Sequence, residues 1–253
     1  LKDAASSAIY GARGANGVIL ITTKTGKAGT KMVVTYDGFY SIQNPWKKIP
    51  LLNAREYVML TNEAAINSGQ SPKFSQADID GFTANTDWQD EMFYYNAPKQ
   101  NHSLSFNGGS DKLEYSSSIN YFKQDGIVAK GKSNFEKIGY RLNAAGNFGY
   151  FKLGGNINLV NITSRGISTN DHFGLSLDQA LNMPPIIPVK FSDGKWATPE
   201  SYGIGLQEIT NPIAMLSYKN SKTRTNKILG NVKGEFDFGK STVDLKGLTF
   251  IKT

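Results

Sequence analysis

Residues 112–122 read KLEYSSSINYF, and the alternation in this stretch decides the fold. Leu113, Tyr115, Ile119 and Tyr121 fall on one side of an extended chain, and Glu114, Ser116, Ser118 and Asn120 on the other. Phe122 closes the run. This is the period of a β-strand with one apolar and one polar face.

The pattern recurs in both directions along the chain. In MVVTYDGFYSI, Met32, Val34, Tyr36, Tyr40 and Ile42 oppose Thr35, Asp37 and Ser41. In IGYRLNAAGNF, Ile138, Tyr140, Leu142, Ala144 and Phe148 oppose Arg141, Asn143 and Asn147. Similar two-faced runs occupy 103–107, 151–159, 228–238 and 243–250. VILITT at 18–23 differs, being apolar or threonine on both faces, and reads as a strand buried on both sides. The reading is therefore mainly β.

The polar faces carry lysine, arginine, acids and many asparagines, which suits a wet interior, while tyrosine and phenylalanine gather near strand ends as an interfacial girdle would. The connections agree. NGGSDK and NFGYFK are short turns, whereas about 43–101 and 163–222 are long and irregular. Outer-membrane barrels alternate short periplasmic turns with long extracellular loops in this way.

The first long loop contains a helix start, with Asn53 and Glu56 spaced as a capping box. Ala54, Tyr57, Val58, Thr61 and Ala65 line one face of that helix, which should stop near Gly69. The second loop holds NMPPIIPV, extended by its prolines, then SDGKW and ITNPIAML.

Composition narrows the function. The 253 residues are 39% hydrophobic with a formal charge of +7, which excludes a disordered chain. Leu1 is not a methionine and the chain opens straight into helix-like sequence, so it reads as a segment of something longer. No stretch supplies the roughly 20 apolar residues of a spanning helix, which leaves spanning strands. Cysteine is absent and there are two histidines, so neither thiolate chemistry nor a histidine-rich metal site is expected, and no metal or cofactor is assigned. The 28 lysines and arginines outnumber 21 acids but are dispersed, unlike a nucleic-acid-binding run.

Several motifs resemble catalytic or binding signatures and fail on inspection. GARGANG, with Gly11, Gly14 and Gly17, lies after a helix and before a strand, the reverse of a phosphate loop, so its glycines are read as permitting a tight turn. Asp78 and Asp80 in SQADIDGF resemble part of a calcium loop, but Phe82 and Gln89 would occupy ligand positions. Asp87, Asp90 and Glu91 could suggest paired catalytic carboxylates, yet carboxylates this close commonly cap a helix. His102, just before an alternating strand, and His172, in a loop, complete no triad. The chain is not read as an enzyme. Trp46, Trp88, Trp196 and Tyr202 remain candidates for stacking on sugar rings.

LKDAASSAIYGARGANGVILITTKTGK resembles the end of the plug domain in the SusC/RagA family of TonB-linked outer-membrane transporters. VTYDGFYSIQ, LLNAREYVML, TDWQDEMF, QNHSLSFNGGSDKLEYSSSINYFKQDGIV, MPPIIPV and NPIAML resemble successive later segments of the same family. GKSTVD at 239–244 departs from the family pattern and leaves the register of the last hairpin open.

The resemblance implies residues 1–30 as the C-terminal end of an α+β plug and its linker. Tyr10, Gly11, Arg13, Gly14, Asn16 and Gly17 would then form its structural turn. Residues 31–253 would be the first part of a transmembrane antiparallel barrel, which has 22 strands in that family. It further implies the outer membrane as location, a SusD-like lipoprotein lid, and TonB acting through an N-terminal segment outside this sequence. Glycan or peptide would be the substrate. A TonB-dependent siderophore or cobalamin receptor, and a non-transporting β-rich surface binding module, are the alternatives.

Overall fold

The fold is described from a computed structural model, which covers residues 11, 18–19, 26–167, 176–203, 209–218, 221–237, 242–245 and 249–252. The expected helix at the start, the turn residues Tyr10, Arg13, Gly14, Asn16 and Gly17, most of VILITT, and His172 lie outside the described residues. Gly11 is described and has φ +64°, the left-handed backbone expected of a residue ending a helix.

Among the described residues, eight strands form one antiparallel sheet. They are β1 (Val33–Gln43), β2 (Ala97–Gly109), β3 (Leu113–Asp125), β4 (Asn134–Asn147), β5 (Phe151–Arg165), β6 (Lys222–Asp237), β7 (Thr242–Leu245) and β8 (Thr249–Lys252). The strands pair in chain order from β1 to β7, and β8 also pairs with β6. Tyr36 lies opposite Leu104, Leu104 opposite Ile119, Ile119 opposite Tyr140, Tyr140 opposite Leu159 and Leu159 opposite Ile228. The apolar positions of six strands therefore share one face without a slip, and most of the asparagines, serines and lysines share the other.

That apolar face is not covered. Ile119 is 47% exposed and Ile138 45% exposed, although both sit in the middle of the sheet. The buried core lies elsewhere. Val58, Trp88, Met92, Met183, Ile186 and Ile187 belong to the connections at one end of the sheet, which fold together into a cap. A sheet with an exposed apolar face, and a buried core confined to the connections at one end, is what a membrane wall with external loops requires.

The strands are longer than the alternation suggests. β2 begins at Ala97, not near 103, β5 continues to Arg165, and β6 starts at Lys222, so the long connections are 44–96 and 166–221. His102 accordingly lies inside β2. Apart from Pro98 and Ile162, the extra residues PKQNH, NITSR and KTRTNK are polar on both sides, because strands rising clear of an apolar layer have water on both faces and nothing to alternate against.

The run at 243–250 is a second correction. It is two short strands, both on β6, with Leu245 opposite Gly234 and Thr249 opposite Asn231.

The cap contains α1 (Ala54–Asn67), α2 (Gln76–Gly81), α3 (Trp88–Met92), α4 (Ser176–Asn182) and α5 (Pro212–Tyr218). The Asn53 side chain accepts from Glu56 N while the Glu56 carboxylate accepts from Asn53 N, completing the expected capping box. Val58 and Ala65 are buried, and Gly69 just beyond the helix has φ +75°. The chain enters the sheet from the opposite end, where Gly29 N donates to Ser110 O at 3.1 Å and Gly109 N donates to Thr30 O at 3.0 Å.

Candidate two-faced wall and loop cap

Alternation gives the wall two chemically distinct surfaces. On the apolar surface of β5, Phe151, Leu153, Ile157 and Leu159 run up to Asn161, which pairs with Asn226 of β6 at 2.5 Å. Phe151 to Asn161 is about 33 Å along the strand, or about 25 Å of height at a barrel strand's usual tilt, the thickness of a membrane's apolar band. Tyr36, His102 and Tyr121 form a stack towards the cap end of this surface, with centroids 6.1 and 6.4 Å apart, and Tyr36 OH meets His102 Nδ1 at 2.7 Å. Both histidine and tyrosines thus have packing roles there. Phe151 and Phe236 pack at 4.6 Å towards the other end, giving the aromatic belts expected at two interfaces.

The opposite surface is lined by side chains that satisfy one another across strands. Asn120 donates to Asn101 at 3.0 Å, Ser116 to Asn107 at 2.6 Å, and Lys152 reaches Glu235 at 2.7 Å. Phe39, Phe122 and Phe135 break this polarity near the cap. Phe122 meets Phe135 edge-on at 5.9 Å, and Lys99 Nζ lies 5.8 Å from the ring centroids of both Phe39 and Phe122. This aromatic and cationic group was not singled out from the sequence. Its signal was there, however: each phenylalanine falls on the polar parity of its strand.

The cap is tied together by carboxamides. Gln89, 4% exposed, accepts from Ile49 N at 3.0 Å and donates to Ile49 O at 2.7 Å, so the segment 47–52 is held as if by a neighbouring strand. Asn62 does the same for Phe74. Asn211, 1% exposed, donates to Val189 O and Ala197 O and accepts from Ile213 N and Ala214 N. It caps α5, whose first residue is Pro212, so the NP of NPIAML is a helix start.

Lys48 stands 2.7 Å from both Asp87 and Asp90. Hydrogen bonds to these two carboxylates hold its ammonium charged well above the ordinary lysine range. The Asp90 carboxyl is pulled down by Lys48 and then by Tyr95, whose hydroxyl donates to it. Tyr95 is in turn pushed up by Asp90.

The acidic motifs are structural. Asp87 caps α3, accepting from Gln89 N and Asp90 N, and Asp78 closes a capping box with Ser75. Among the described residues no group of three or more histidines or acids could hold a metal ion.

The four aromatic candidates part company. Trp88 is 2% exposed, with its indole N–H on Pro184 O at 3.1 Å, and has no free face for a sugar. Tyr202 is half-buried beside Phe191 and Phe82. Trp196 carries Lys190 Nζ 4.2 Å from its ring centroid. Trp46 alone of the four stands free, 99% exposed.

No protein-family profile matches the chain. It is 34% identical to the TonB-dependent receptor SusC of Bacteroides thetaiotaomicron over 94% of this chain and 24% of that protein. It is also 34% identical to the TonB-dependent receptor P3 of Formosa agariphila, over 94% of this chain and 22% of that protein. The chain thus spans about a quarter of the length of the relatives it matches. Its fold matches the RagAB peptide importer in the open-open state with TM-score 0.73 at 21% identity, covering 96% of this chain and 30% of that one. In the closed-closed state the TM-score is 0.69 at 23% identity.

Proposed function

We propose that this chain, which belongs to the SusC/RagA family of TonB-dependent receptors, supplies the first part of the wall and a large share of the extracellular cap of an outer-membrane importer of oligosaccharides or peptides. The observation that carries the reading is the unslipped two-faced register: an apolar surface of membrane height on one side, a hydrogen-bonded polar surface on the other, and the buried core confined to the loops at one end. A barrel wall needs these features together, whereas a surface binding module would bury its apolar face.

Residues 1–30 would be the end of the plug and its linker, with the turn from Tyr10 to Gly17 shaping that end. The left-handed Gly11 and the hydrogen bonds of Gly29 and Thr30 to the short-turn end of the wall support this division. A SusD-like lipoprotein would close the cap from outside, and TonB would act on the plug. Phe39, Phe122 and Phe135, with Lys99 beside the first two, would offer cargo an apolar and cationic surface inside the wall, and the exposed Trp46 would meet cargo or lid.

Deleting the full-length gene and measuring growth and uptake on a panel of glycans and peptides tests the reading. Loss on one class of polymer identifies the cargo. Unchanged uptake of all of them, with a defect in ferric siderophore or cobalamin uptake instead, would move the protein to the other branch of TonB-dependent receptors.

A further inference from the structure

At the cap end of β5 and β6 the apolar surface ends in a patch of cations. Above Leu159 and Ile228, which face each other, Asn161 lies opposite Asn226, then Thr163 opposite Arg224, then Arg165 opposite Lys222. Strand alternation keeps all of these on the face of Ile157 and Val232. Arg165 and Lys222 are a directly opposed pair, with Cβ atoms about 5 Å apart, and Arg224 is about 7 Å along β6 from Lys222.

Among the described residues these charges have no counter-ion. Among the described residues the ion pairs involve Lys48, Lys152, Lys195 and Lys233, and none of the three patch cations. Arg165 donates to Gly131 O at 3.4 Å, and Lys222 and Arg224 are exposed. On this face the neighbouring acids are Glu136, opposite both Lys123 and Thr163, and Asp125, opposite Asn134. Like charges set directly opposite each other destabilise a strand pair, so the arrangement calls for an external anion.

We propose that Arg165, Lys222 and Arg224 bind the phosphate of a phosphorylated lipid headgroup in the outer leaflet. The position selects the ligand. Two guanidinium forks and an ammonium suit phosphate oxygens, and the Asn161–Asn226 pair marks the level where the apolar band gives way to headgroups. Ile157, Leu159 and Ile228 below it give the acyl chains an apolar wall. The inference rests on the barrel reading, which sets this face against lipid.

The test uses the purified full-length receptor in non-ionic detergent, with bound lipid counted by native mass spectrometry. The probes are a doubly phosphorylated acylated glucosamine lipid, the same lipid after dephosphorylation, and inorganic phosphate alone. The intact receptor should retain the phosphorylated lipid, and R165Q/K222Q/R224Q should bind it at least about tenfold more weakly, as expected when charge-assisted hydrogen bonds are lost. The R165K/R224K variant should keep most of the binding. Equal binding by the triple variant, equal retention of the dephosphorylated lipid, or displacement by equimolar inorganic phosphate would each overturn the site.

Heat-modifiable gel mobility reports barrel assembly, and if the triple variant does not assemble, R224Q alone decides, with about threefold weaker binding expected. Uptake is scored separately. A receptor that imports cargo but binds lipid without regard to phosphate removes this site and leaves the transport reading standing.

Discussion

Gln89 holds Ile49 by both of its backbone groups, accepting from the amide at 3.0 Å and donating to the carbonyl at 2.7 Å. Forty residues apart in sequence, the two join the segment leading out of β1 to the short helix α3, and Gln89 is buried. Replacing Gln89 with alanine leaves two backbone groups without partners, at about 1–3 kcal/mol each where they stay dry. Residues 47–52 should then exchange their amide hydrogens faster in the assembled receptor, while β2 to β5 stay protected. Uniform exchange across the chain would show that Gln89 does not fasten this segment locally.

The Lys48, Asp87, Asp90 and Tyr95 group gives the same region a pH window. Asp90 has a lowered pKa in the folded protein, so its contribution is present above the ordinary carboxylate pKa and is lost as pH falls through the lowered value. Lys48 and Tyr95 have raised values, so theirs are complete below the ordinary lysine and tyrosine pKa values and disappear as pH rises through the raised ones. Protection of 47–52, corrected for intrinsic exchange, should therefore be flat through neutral pH and fall at both extremes. The Lys48→Met substitution should lower it at neutral pH and flatten the acid limb.

Asn211 supports a different part of the cap. Asn211→Asp keeps the acceptor that caps α5 but loses donation to Val189 O and Ala197 O, whereas Asn211→Ala loses both functions. Alanine should cost about 2–4 kcal/mol in cap stability and aspartate less. Limited proteolysis of the intact receptor should cut first within 188–218 in both variants, alanine faster. Equal rates in both would mean that the capping interaction contributes nothing.

These cap contacts mark the boundary of what the sequence discloses. The helix from Ala54, with its Asn53 cap, and the two-faced strands around Leu113 and Tyr140 were legible, because capping and alternation are local signals. The polar strand ends at PKQNH and KTRTNK were not, since alternation disappears where both faces meet water. Trp88 could not be separated from Trp46 by composition, for their opposite fates depend on Pro184, which lies 96 residues beyond Trp88 in the chain. Each of Phe39, Phe122 and Phe135 shows in the sequence as a phenylalanine on the polar parity of its strand, but their grouping with Lys99 depends on the register that sets β1 to β4 side by side.

That group puts the proposed import of cargo to the test. Phe122→Ala should leave assembly intact and weaken import of the physiological cargo several-fold through its half-saturation concentration, because the side chain lies on the polar surface and outside the buried core. Trp88→Ala should lower receptor stability by about 3–5 kcal/mol, as expected for emptying a core aromatic site, and reduce import only in proportion to the receptor lost. Uptake measured against cargo concentration, normalised to assembled receptor, separates the two. A change in half-saturation for Trp88→Ala and none for Phe122→Ala would reverse the assignment.

The entry of the chain into the wall supplies the last prediction. Gly26 is buried, and a Cβ there would lie within contact distance of the Tyr115 carbonyl oxygen and 2.5 Å from that of Gly108. A Cβ on Gly109 would stand 2.6 Å from the carbonyl oxygens of both Leu113 and Lys27. These obstacles are backbone atoms, those of Gly108, Leu113 and Tyr115 belonging to paired strands, so a methyl group cannot be accommodated by turning a side chain. Gly26→Ala and Gly109→Ala should therefore lift the linker from β2 and β3 and reduce the fraction of heat-modifiable receptor in outer-membrane preparations. Gly131→Ala, at a cap turn with open space around it but φ +76°, should strain that turn alone and leave the assembled fraction near wild type. Wild-type assembly in both linker-contact variants would show that the linker is not held against the wall.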